Sequence, residues 1–248
     1  MNVAAILAGG RGTRLGAPVP KQYIEVLEKP VLAYTLEVFQ SSPDIDAIQV
    51  VCQPEYTGHV KDIARKFGIE KLRWITPGGE TCPQSICRGV FVLKEFLRGD
   101  DIFLLHMGVS PLISHEDISS ALKICEEKGC CFTMHPVNIC MAYRSGGNWC
   151  DKDAPKEKYV ELNTPWAFRY AEVLSLYREF FEKGGVLSEG DYTLSLWLAS
   201  GRRAYYCPGS APSRMKITTA HDLDLFEGYL TLRGQRSEKT LNPGGSHE

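Results

Sequence analysis

The feature that most constrains this chain is a glycine-rich connection directly after its first apolar run. Residues 3–7 are followed by Ala8-Gly9-Gly10-Arg11-Gly12-Thr13-Arg14-Leu15-Gly16, and Pro20-Lys21-Gln22-Tyr23 comes next. Glycine allows close approach of backbone N–H groups, and consecutive N–H groups in such a loop form a concavity that binds anions. Because Arg14 and Lys21 add positive charge to the same connection, the segment predicts a binding loop for a triphosphate.

Two better-known phosphate loops fit this segment poorly. Gly10, Gly12 and Gly16 have the spacing G-x-G-x-x-x-G, whereas a dinucleotide fingerprint needs G-x-G-x-x-G and a Walker loop needs G-K-[ST]. A dinucleotide-dependent oxidoreductase on a Rossmann sheet remains as an alternative from another class. It would need an acidic residue about 20 positions past the glycines to bind the ribose, and Glu37 falls within the first predicted helix.

Strand-like apolar runs alternate with amphipathic stretches along most of the chain, as in βαβ units. The predicted strands are 3–7, 47–52, 72–75, 102–105, 131–137, 203–207 and 215–218. The predicted helices are 30–41, 55–67, 83–97, 115–128, 165–183, 192–200 and one that follows a capping-box variant formed by Thr219 and Asp222. The pattern predicts a three-layer α/β/α sandwich with a mixed, mainly parallel sheet, and a ligand at the carboxyl ends of its first strands.

One nucleotide-binding domain is predicted over residues 1–234, followed by a polar, disordered tail over residues 235–248. Within the domain, residues 138–161 lose all periodicity, since Gly146, Gly147, Asn148 and Pro155 interrupt them. A stretch of this length is too long for an ordinary loop. We therefore expect a protruding hairpin arm outside the main sheet.

Composition excludes several function classes. A formal net charge of −2 gives no basic field for nucleic acid or anionic lipid, and no run approaches the roughly 20 apolar residues of a membrane helix. With no secretory signal after Met1, we expect a cytoplasmic protein without nucleic-acid or membrane partners. The nine cysteines include no CxxC pair, so Cys125, Cys130 and Cys131 are interpreted as packed, reduced thiols.

The glycine-rich segment together with Pro20-Lys21-Gln22-Tyr23 resembles the cytidylyltransferases that make cytidine diphosphate derivatives of polyol phosphates. Further motifs in the same order extend this similarity to the family of 2-C-methyl-D-erythritol 4-phosphate and ribitol-5-phosphate cytidylyltransferases. They run from Ala4 to Leu230 and include Lys29 to Leu32, Thr35 to Phe39, Thr76 to Glu80 with Ser85, Thr164-Pro165, and Lys216 to Thr219. The resemblance implies a nucleotide-diphospho-sugar transferase fold and the transfer of CMP from CTP to a phosphate or phosphonate acceptor.

The resemblance also implies roles for individual residues. Those expected to act on the phosphates in catalysis are Arg14, Lys21 and Lys216. The expected nucleotide-binding residues are Ala8, Gly9, Gly10, Arg11, Gly12, Thr13, Gly79, Glu80 and Ser85. The expected acceptor-binding residues are Met107, Ser110, Cys140, Lys156, Lys158, Thr164 and Asp191. No catalytic serine, cysteine or histidine is needed, because a phosphate monoester with a second pKa near 6 is already nucleophilic at neutral pH.

The chain departs from the family where the acceptor and Mg²⁺ are expected to bind. Met107 and Ser110 stand where the family has aspartate and arginine, and the segment from Ser213 to Met215 lacks the second expected carboxylate. A thioether is a poor ligand for Mg²⁺, which prefers oxygen, so the expected cofactor has no evident protein ligands. Two interpretations stay open: a transferase with a different acceptor, or a catalytically impaired nucleotide-binding paralogue with a regulatory role.

Some candidates have a simpler structural interpretation. His106, at the end of the fourth strand, is more readily explained as a core histidine bonded to the backbone than as a catalytic base. Asp191 is interpreted first as a helix cap and second as an acceptor ligand. In the family the arm is exchanged between two subunits, so the resemblance implies a homodimer through residues 138–161.

Overall fold

The computed structural model describes residues 1–10 and 19–241. Its strands are β1 (Asn2–Ala8), β2 (Glu25–Val26), β3 (Lys29–Pro30), β4 (Ala47–Cys52), β5 (Leu72–Pro77), β6 (Ile102–Met107), β7 (Cys130–Pro136), β8 (Met141–Tyr143), β9 (Lys152–Ala154), β10 (Val160–Arg169) and β11 (Tyr206–Pro208). Its α-helices are α1 (Val31–Ser41), α2 (Thr57–Lys66), α3 (Cys82–Val92), α4 (His115–Lys128), α5 (Tyr170–Glu182), α6 (Thr193–Ala199) and α7 (Ala220–Leu241).

A seven-stranded sheet in the order β11-β7-β10-β6-β1-β4-β5 forms the centre of the fold. Strand β10 runs antiparallel to both of its neighbours, and the other pairs are parallel. Parallel strands buried on both faces are typically continuous apolar runs, and β1 is such a run, with residues 3 to 8 all buried.

Alternate residues of β1 contribute to two separate cores, one on each face of the sheet. Ala4 and Ile6 pack with apolar residues of α1, α2 and α4. Val3 and Ala5 pack with residues of α3, α5 and α6. The predicted three-layer sandwich with a mainly parallel sheet is therefore confirmed.

The hairpin arm is also confirmed. Strands β8 and β9 pair antiparallel, with Met141 opposite Ala154 and Tyr143 opposite Lys152. The arm connects β7 to β10 and lies outside the seven-stranded sheet. Much of its surface is exposed, including several large apolar side chains.

The prediction of a helix over residues 165–183 is wrong at its start. Pro165 looked like the first residue of a helix, but it lies inside β10, at an irregularity of register between Asn163 and Trp166. A bulge is one of the few places where a sheet tolerates proline. The chain stays extended there because Trp166, Ala167 and Phe168 pair with β6 and β7 in the core, and the helix begins only at Tyr170.

Three other predictions concern the last quarter of the chain. The strand predicted over 215–218 is wrong, because those residues belong to none of the described strands. The strand expected over 203–207 is shorter and lies at Tyr206–Pro208. The capping-box variant is confirmed, since the Asp222 carboxylate accepts 2.8 Å hydrogen bonds from the N–H groups of Thr218 and Thr219.

Helix α7 continues past Gly234 to Leu241, so at least the first part of the expected tail has helical backbone, while residues 242–248 lie outside the described residues. Across the described residues, none of the helices combines the length and apolar character that crossing a membrane would require.

Candidate active site

The ends of three parallel strands form one row at the carboxyl edge of the sheet. Ala8 at the end of β1 is in register with Cys52 of β4, which is in register with Pro77 of β5. The Gly78 N–H continues this row with a hydrogen bond of 2.7 Å to the Cys52 carbonyl. The loops that follow β1 and β5 are therefore close neighbours, as expected for a ligand site in an open α/β sheet.

Two glutamine side chains fix the backbone where the glycine-rich segment begins. Gln22, which is 1% exposed, lies in a 3₁₀ turn and donates from Nε2 to the carbonyls of Ala8 at 2.6 Å and Gly10 at 3.0 Å. Gln53 donates to the intervening Gly9 carbonyl at 3.1 Å. Three successive peptide groups are thus oriented before the chain enters residues 11–18. The predicted site residues Arg11, Gly12, Thr13 and Arg14 lie outside the described residues.

The loop before α3 faces the first residues of the glycine-rich segment. Ser85 Oγ accepts a 3.0 Å hydrogen bond from the Gly79 N–H and donates one of 3.0 Å to the Thr81 carbonyl. A Cβ atom on Gly79 would lie 2.4 Å from Gln84 Cβ, so only glycine fits there. A Cβ atom on Gly9 would lie 3.7 Å from Ser85 Oγ. The structure therefore brings the predicted residues Ala8, Gly9, Gly10, Gly79 and Ser85 together, with exposed Glu80 beside them.

Two of the predicted lysines lie on segments that border this edge. Lys21 begins the 3₁₀ turn that also holds Gln22. Lys216 is exposed on the segment before α7, which is fixed by a 2.8 Å hydrogen bond from the Ile217 N–H to the Val109 carbonyl. Burial raises the pKa of the Cys82 thiol, and the nearby Lys216 ammonium opposes that rise. Lys216 therefore lies within electrostatic reach of the start of α3.

The predicted acceptor residues separate into different environments. Met107 is half-buried at the end of β6, and its N–H donates to buried Thr164 Oγ1 at 3.4 Å. The Ser110 hydroxyl is fully buried and has no hydrogen-bond partner among the described residues, so solvent does not reach it. Three further members of this group are exposed residues of the arm, namely Cys140, Lys156 and Lys158. Asp191 lies elsewhere in the fold.

The prediction that Asp191 caps a helix is wrong. Its carboxylate accepts hydrogen bonds of 2.6 Å from the N–H and the hydroxyl of Ser188, so it closes the turn before α6. Helix α6 begins after Tyr192 without a side-chain cap. This turn adjoins the first turn of α3, because Gln84 Nε2 lies 3.5 Å from the Leu187 carbonyl.

His106 is a core residue, as predicted. Its side chain is fully buried, and Nε2 lies 2.9 Å from the Ser110 carbonyl. Burial lowers the pKa of His106 to about 4, even though the Ser110 carbonyl and the Asp117 carboxylate both favour protonation. The imidazole is therefore neutral at physiological pH and is not accessible to a substrate.

The residues present do not fit a protein-bound Mg²⁺. The expected positions carry Met107, Ser213 and Arg214; Ser213 is buried and its hydroxyl donates to the Ser210 carbonyl at 2.8 Å. Across residues 1–10 and 19–241, the acidic, histidine and cysteine side chains form no group of three that could hold a metal ion. The donor set therefore supports no catalytic step through a metal held by these residues.

Two contacts that fix the segment before Lys216 carried no local signal in the sequence. The Asp117 carboxylate accepts hydrogen bonds of 2.7 Å from the Ser210 N–H and 2.8 Å from the Ser210 hydroxyl, and with Ser114 it also caps α4. Burial by itself would raise the pKa of Asp117, but the hydrogen bonds outweigh that effect and lower it. Asn163 donates to the Ser213 carbonyl at 3.1 Å. Both contacts fix the segment that leads to Lys216, and both join residues far apart in sequence.

The sheet with its glycine-rich loop, the facing Gly79 loop and the lysines define a nucleotidyltransferase of the α/β class. Comparison with known proteins specifies the family. The family model described as IspD, 2-C-methyl-D-erythritol 4-phosphate cytidylyltransferase, matches residues 2–232. The chain belongs to this family of cytidylyltransferases.

Individual relatives match over nearly the whole chain. The ribitol-5-phosphate cytidylyltransferase of Lacticaseibacillus paracasei is 33% identical over 93% of this chain and 98% of its own length. The ribitol-5-phosphate cytidylyltransferase of Vibrio parahaemolyticus is 40% identical over 93% and 96%. The structure of the 4-diphosphocytidyl-2C-methyl-D-erythritol synthase of Anaerococcus prevotii superposes with a TM-score of 0.77 at 23% identity, covering 93% of this chain and 96% of that one. This similarity supports the fold and excludes the Rossmann oxidoreductase alternative.

Proposed function

We propose that the protein transfers CMP from CTP to the phosphate of ribitol 5-phosphate or a closely related linear polyol phosphate. The observation that carries the proposal is the pair of facing loops at the carboxyl edge, where Gln22 and Gln53 orient the peptides of Ala8 to Gly10 opposite Gly79 and Ser85. This arrangement suits a nucleotide whose phosphates follow the glycine-rich backbone.

The reaction needs positioning and charge neutralisation more than covalent help from the protein. A phosphate oxygen of the acceptor attacks the α-phosphorus of CTP, the bond from that phosphorus to the β-phosphate oxygen breaks, and pyrophosphate leaves with the electron pair. The acceptor phosphate is largely a dianion at neutral pH, so no base has to remove a proton. The buried, neutral His106 is accordingly left without a chemical role.

The roles of the site residues follow from their places at this edge. Peptide groups of Ala8, Gly9 and Gly10 would bind the nucleotide on one side, with Gly79, Glu80 and Ser85 on the other. Lys21 and Lys216, together with Arg14, would stabilise negative charge on the phosphates, because cations fixed where charge develops lower the barrier.

A ribitol-type acceptor is supported by the names of the two relatives described above, both of which are ribitol-5-phosphate cytidylyltransferases. The acceptor would approach the nucleotide at the end of β6, where the uncharged side chain of Met107 is half-buried. A linear polyol with many rotatable bonds can adapt to such a surface, while its phosphate supplies the charge for recognition.

The experiment that tests this function measures pyrophosphate release with CTP and either ribitol 5-phosphate or 2-C-methyl-D-erythritol 4-phosphate. We expect release with ribitol 5-phosphate and a product with the mass of CDP-ribitol. CTP binding by titration calorimetry, measured in parallel, separates loss of transfer from loss of nucleotide binding. Binding of CTP without release on either acceptor would contradict the transferase function and favour the impaired paralogue.

We further propose that the arm forms a two-fold dimer. Ile139, Tyr143, Trp149, Tyr159 and Val160 are all exposed on or beside it, and Ile139 and Trp149 are more than half exposed. Several exposed apolar side chains on one projecting hairpin are typical of an interaction surface. Pairing of arms would also bring exposed Lys156 and Lys158 toward the acceptor side of a second subunit. A cytoplasmic location stays a prediction from the sequence.

A further inference from the structure

The acceptor side of the carboxyl edge needs a cation, because the acceptor carries a phosphate dianion. Where β6 ends beside β10, the Met107 N–H donates to Thr164 Oγ1 at 3.4 Å, and neither of these two side chains is charged. Lys216 extends toward the start of α3, on the nucleotide side. The remaining cation on the same segment is Arg214, two residues before Lys216.

Arg214 is held beside the start of β10 by hydrogen bonds of the segment that contains it. Asn163, in β10, donates from Nδ2 to the carbonyl of Ser213, the residue before Arg214, at 3.1 Å. The Ile217 N–H donates to the Val109 carbonyl, just beyond β6, at 2.8 Å. Residues 213–217 therefore cross from β10 to β6, with Arg214 on the arm side and Lys216 on the nucleotide side.

The guanidinium of Arg214 is oriented by a carboxylate from the root of the arm. Nε lies 3.2 Å from Glu161 Oε1, and Nη2 donates to Glu161 Oε2. The two side chains are 37% and 41% exposed, so the pair lies at the surface of the edge rather than in the core. Glu161 itself is fixed in β10, in register with His135 of β7.

This pairing leaves one edge of the guanidinium without a partner. An arginine carries five N–H donors, and Glu161 contacts the edge formed by Nε and Nη2. Within the described part of the chain, Nη1 of Arg214 donates to no acceptor. A half-exposed, pre-oriented guanidinium with remaining donors is well suited to bind a phosphate, since its planar fork matches two phosphate oxygens.

We infer that Arg214, oriented by Glu161, binds the phosphate of the acceptor. This inference rests on the proposed function, because it assumes that a polyol phosphate is the acceptor. Arg214 is then a substrate-binding residue, and Glu161 is a positioning residue that acts through it. The segment 213–217 consequently carries two cations with different targets, Arg214 for the acceptor and Lys216 for the nucleotide.

The test measures binding of ribitol 5-phosphate by titration calorimetry to protein saturated with α,β-methylene CTP, which cannot release pyrophosphate. Arg214→Met should weaken this binding about 10- to 100-fold, the range for losing hydrogen bonds to a charged group. Arg214→Lys should give a smaller loss, because it keeps the charge but not the fork. Glu161→Gln should also weaken binding, by less than Arg214→Met.

Two controls separate this role from a structural one. Arg65→Met on α2 removes an arginine that also pairs with a carboxylate, that of Asp62, at 2.7 Å, and it should leave binding unchanged. Affinity for α,β-methylene CTP should stay within about twofold in every variant, since a factor of two is only about 0.4 kcal/mol. Inorganic phosphate should compete with ribitol 5-phosphate in the parent but much less in Arg214→Met.

The possible outcomes are distinct. Unchanged affinity of Arg214→Met for ribitol 5-phosphate would overturn the inference, and so would an equal loss of affinity for the CTP analogue. If the parent protein binds ribitol 5-phosphate through Arg214 but releases no pyrophosphate with CTP, the transferase function fails and the binding inference stands. If the parent protein binds neither compound, both are rejected.

Discussion

Gln22 donates a 2.6 Å hydrogen bond to the carbonyl of Ala8, although the two residues lie on opposite sides of the glycine-rich segment. The same Nε2 atom reaches the Gly10 carbonyl at 3.0 Å. A single buried amide therefore fixes the peptide groups of Ala8 and Gly10 relative to the 3₁₀ turn that begins at Lys21. In the motif Pro20-Lys21-Gln22-Tyr23, Gln22 therefore has a structural role, next to the lysine that is predicted to act on the phosphates.

We predict that Gln22→Met weakens CTP binding about tenfold or more. The variant keeps the volume but removes the donor, leaving the buried Ala8 carbonyl without this partner and the Gly10 carbonyl without one of its contacts, which costs about 1 to 3 kcal/mol. Calorimetric titration with CTP measures the effect. Gln53→Met, which removes a single 3.1 Å contact to Gly9, is the matched comparison and should have the smaller effect. Equal CTP affinity in parent and Gln22→Met would show that the amide does not shape the nucleotide site.

Lys21→Ala should lower the rate of the chemical step about 100- to 1,000-fold, the usual cost of removing one preorganised contact to developing charge. Single-turnover measurements with saturating CTP and acceptor isolate that step from substrate binding. Lys61→Ala, an exposed lysine on α2, provides the control. A single-turnover rate equal to that of the parent would remove Lys21 from the catalytic machinery.

The sequence was sufficient for the layers of the fold, and those of the proposed nucleotide-binding residues that the structure describes lie together at one edge of the sheet. The reason for both is local. Buried parallel strands are continuous apolar runs, as in β1, and the glycines and Ser85 belong to motifs of a few residues. The residues of these motifs lie near one another in the folded protein because the strands that precede them are neighbours in the sheet.

The surroundings of the proposed acceptor residues were harder to predict because the contacts there join distant residues. Pro165 had a helix-start signal, but pairing of Trp166 to Phe168 with two neighbouring strands kept the chain extended. The bonds from Asn163 to Ser213 and from Arg214 to Glu161 each span about fifty residues. No periodicity or local motif encodes such pairs, so Glu161 and Asn163 had no signal in the sequence, and Ser110 could not be recognised as buried.

His106 should make the protein less stable as the pH falls through the acid range. Its folded pKa of about 4 lies below the ordinary value of 6.5, so between these values the unfolded chain binds the proton more readily. The stability that this difference provides is complete above pH 6.5 and is lost as the pH falls toward 4. A shift of this size corresponds to at most about 3 kcal/mol.

Urea unfolding at intervals across this pH window tests the prediction. His106→Gln should flatten the dependence of the unfolding free energy on pH, whatever its effect at neutral pH. Part of the slope should persist, because burial also lowers the pKa of His135. His115→Gln, at the exposed start of α4, is the control. Identical slopes for the parent and His106→Gln would show that another group governs the acid sensitivity.

Trp149→Lys should convert the proposed dimer into a monomer. Trp149 is 57% exposed on the arm, and a lysine in its place would put two like charges near each other across a two-fold contact, with loss of the apolar area of the ring. Phe96→Lys changes an aromatic side chain of almost the same exposure, 56%, outside the arm, and it should leave the mass unchanged. Light scattering gives the mass of each variant, and circular dichroism checks that each is folded. A parent protein that is monomeric at working concentration, or a dimer that persists in folded Trp149→Lys, would contradict assembly through this part of the arm.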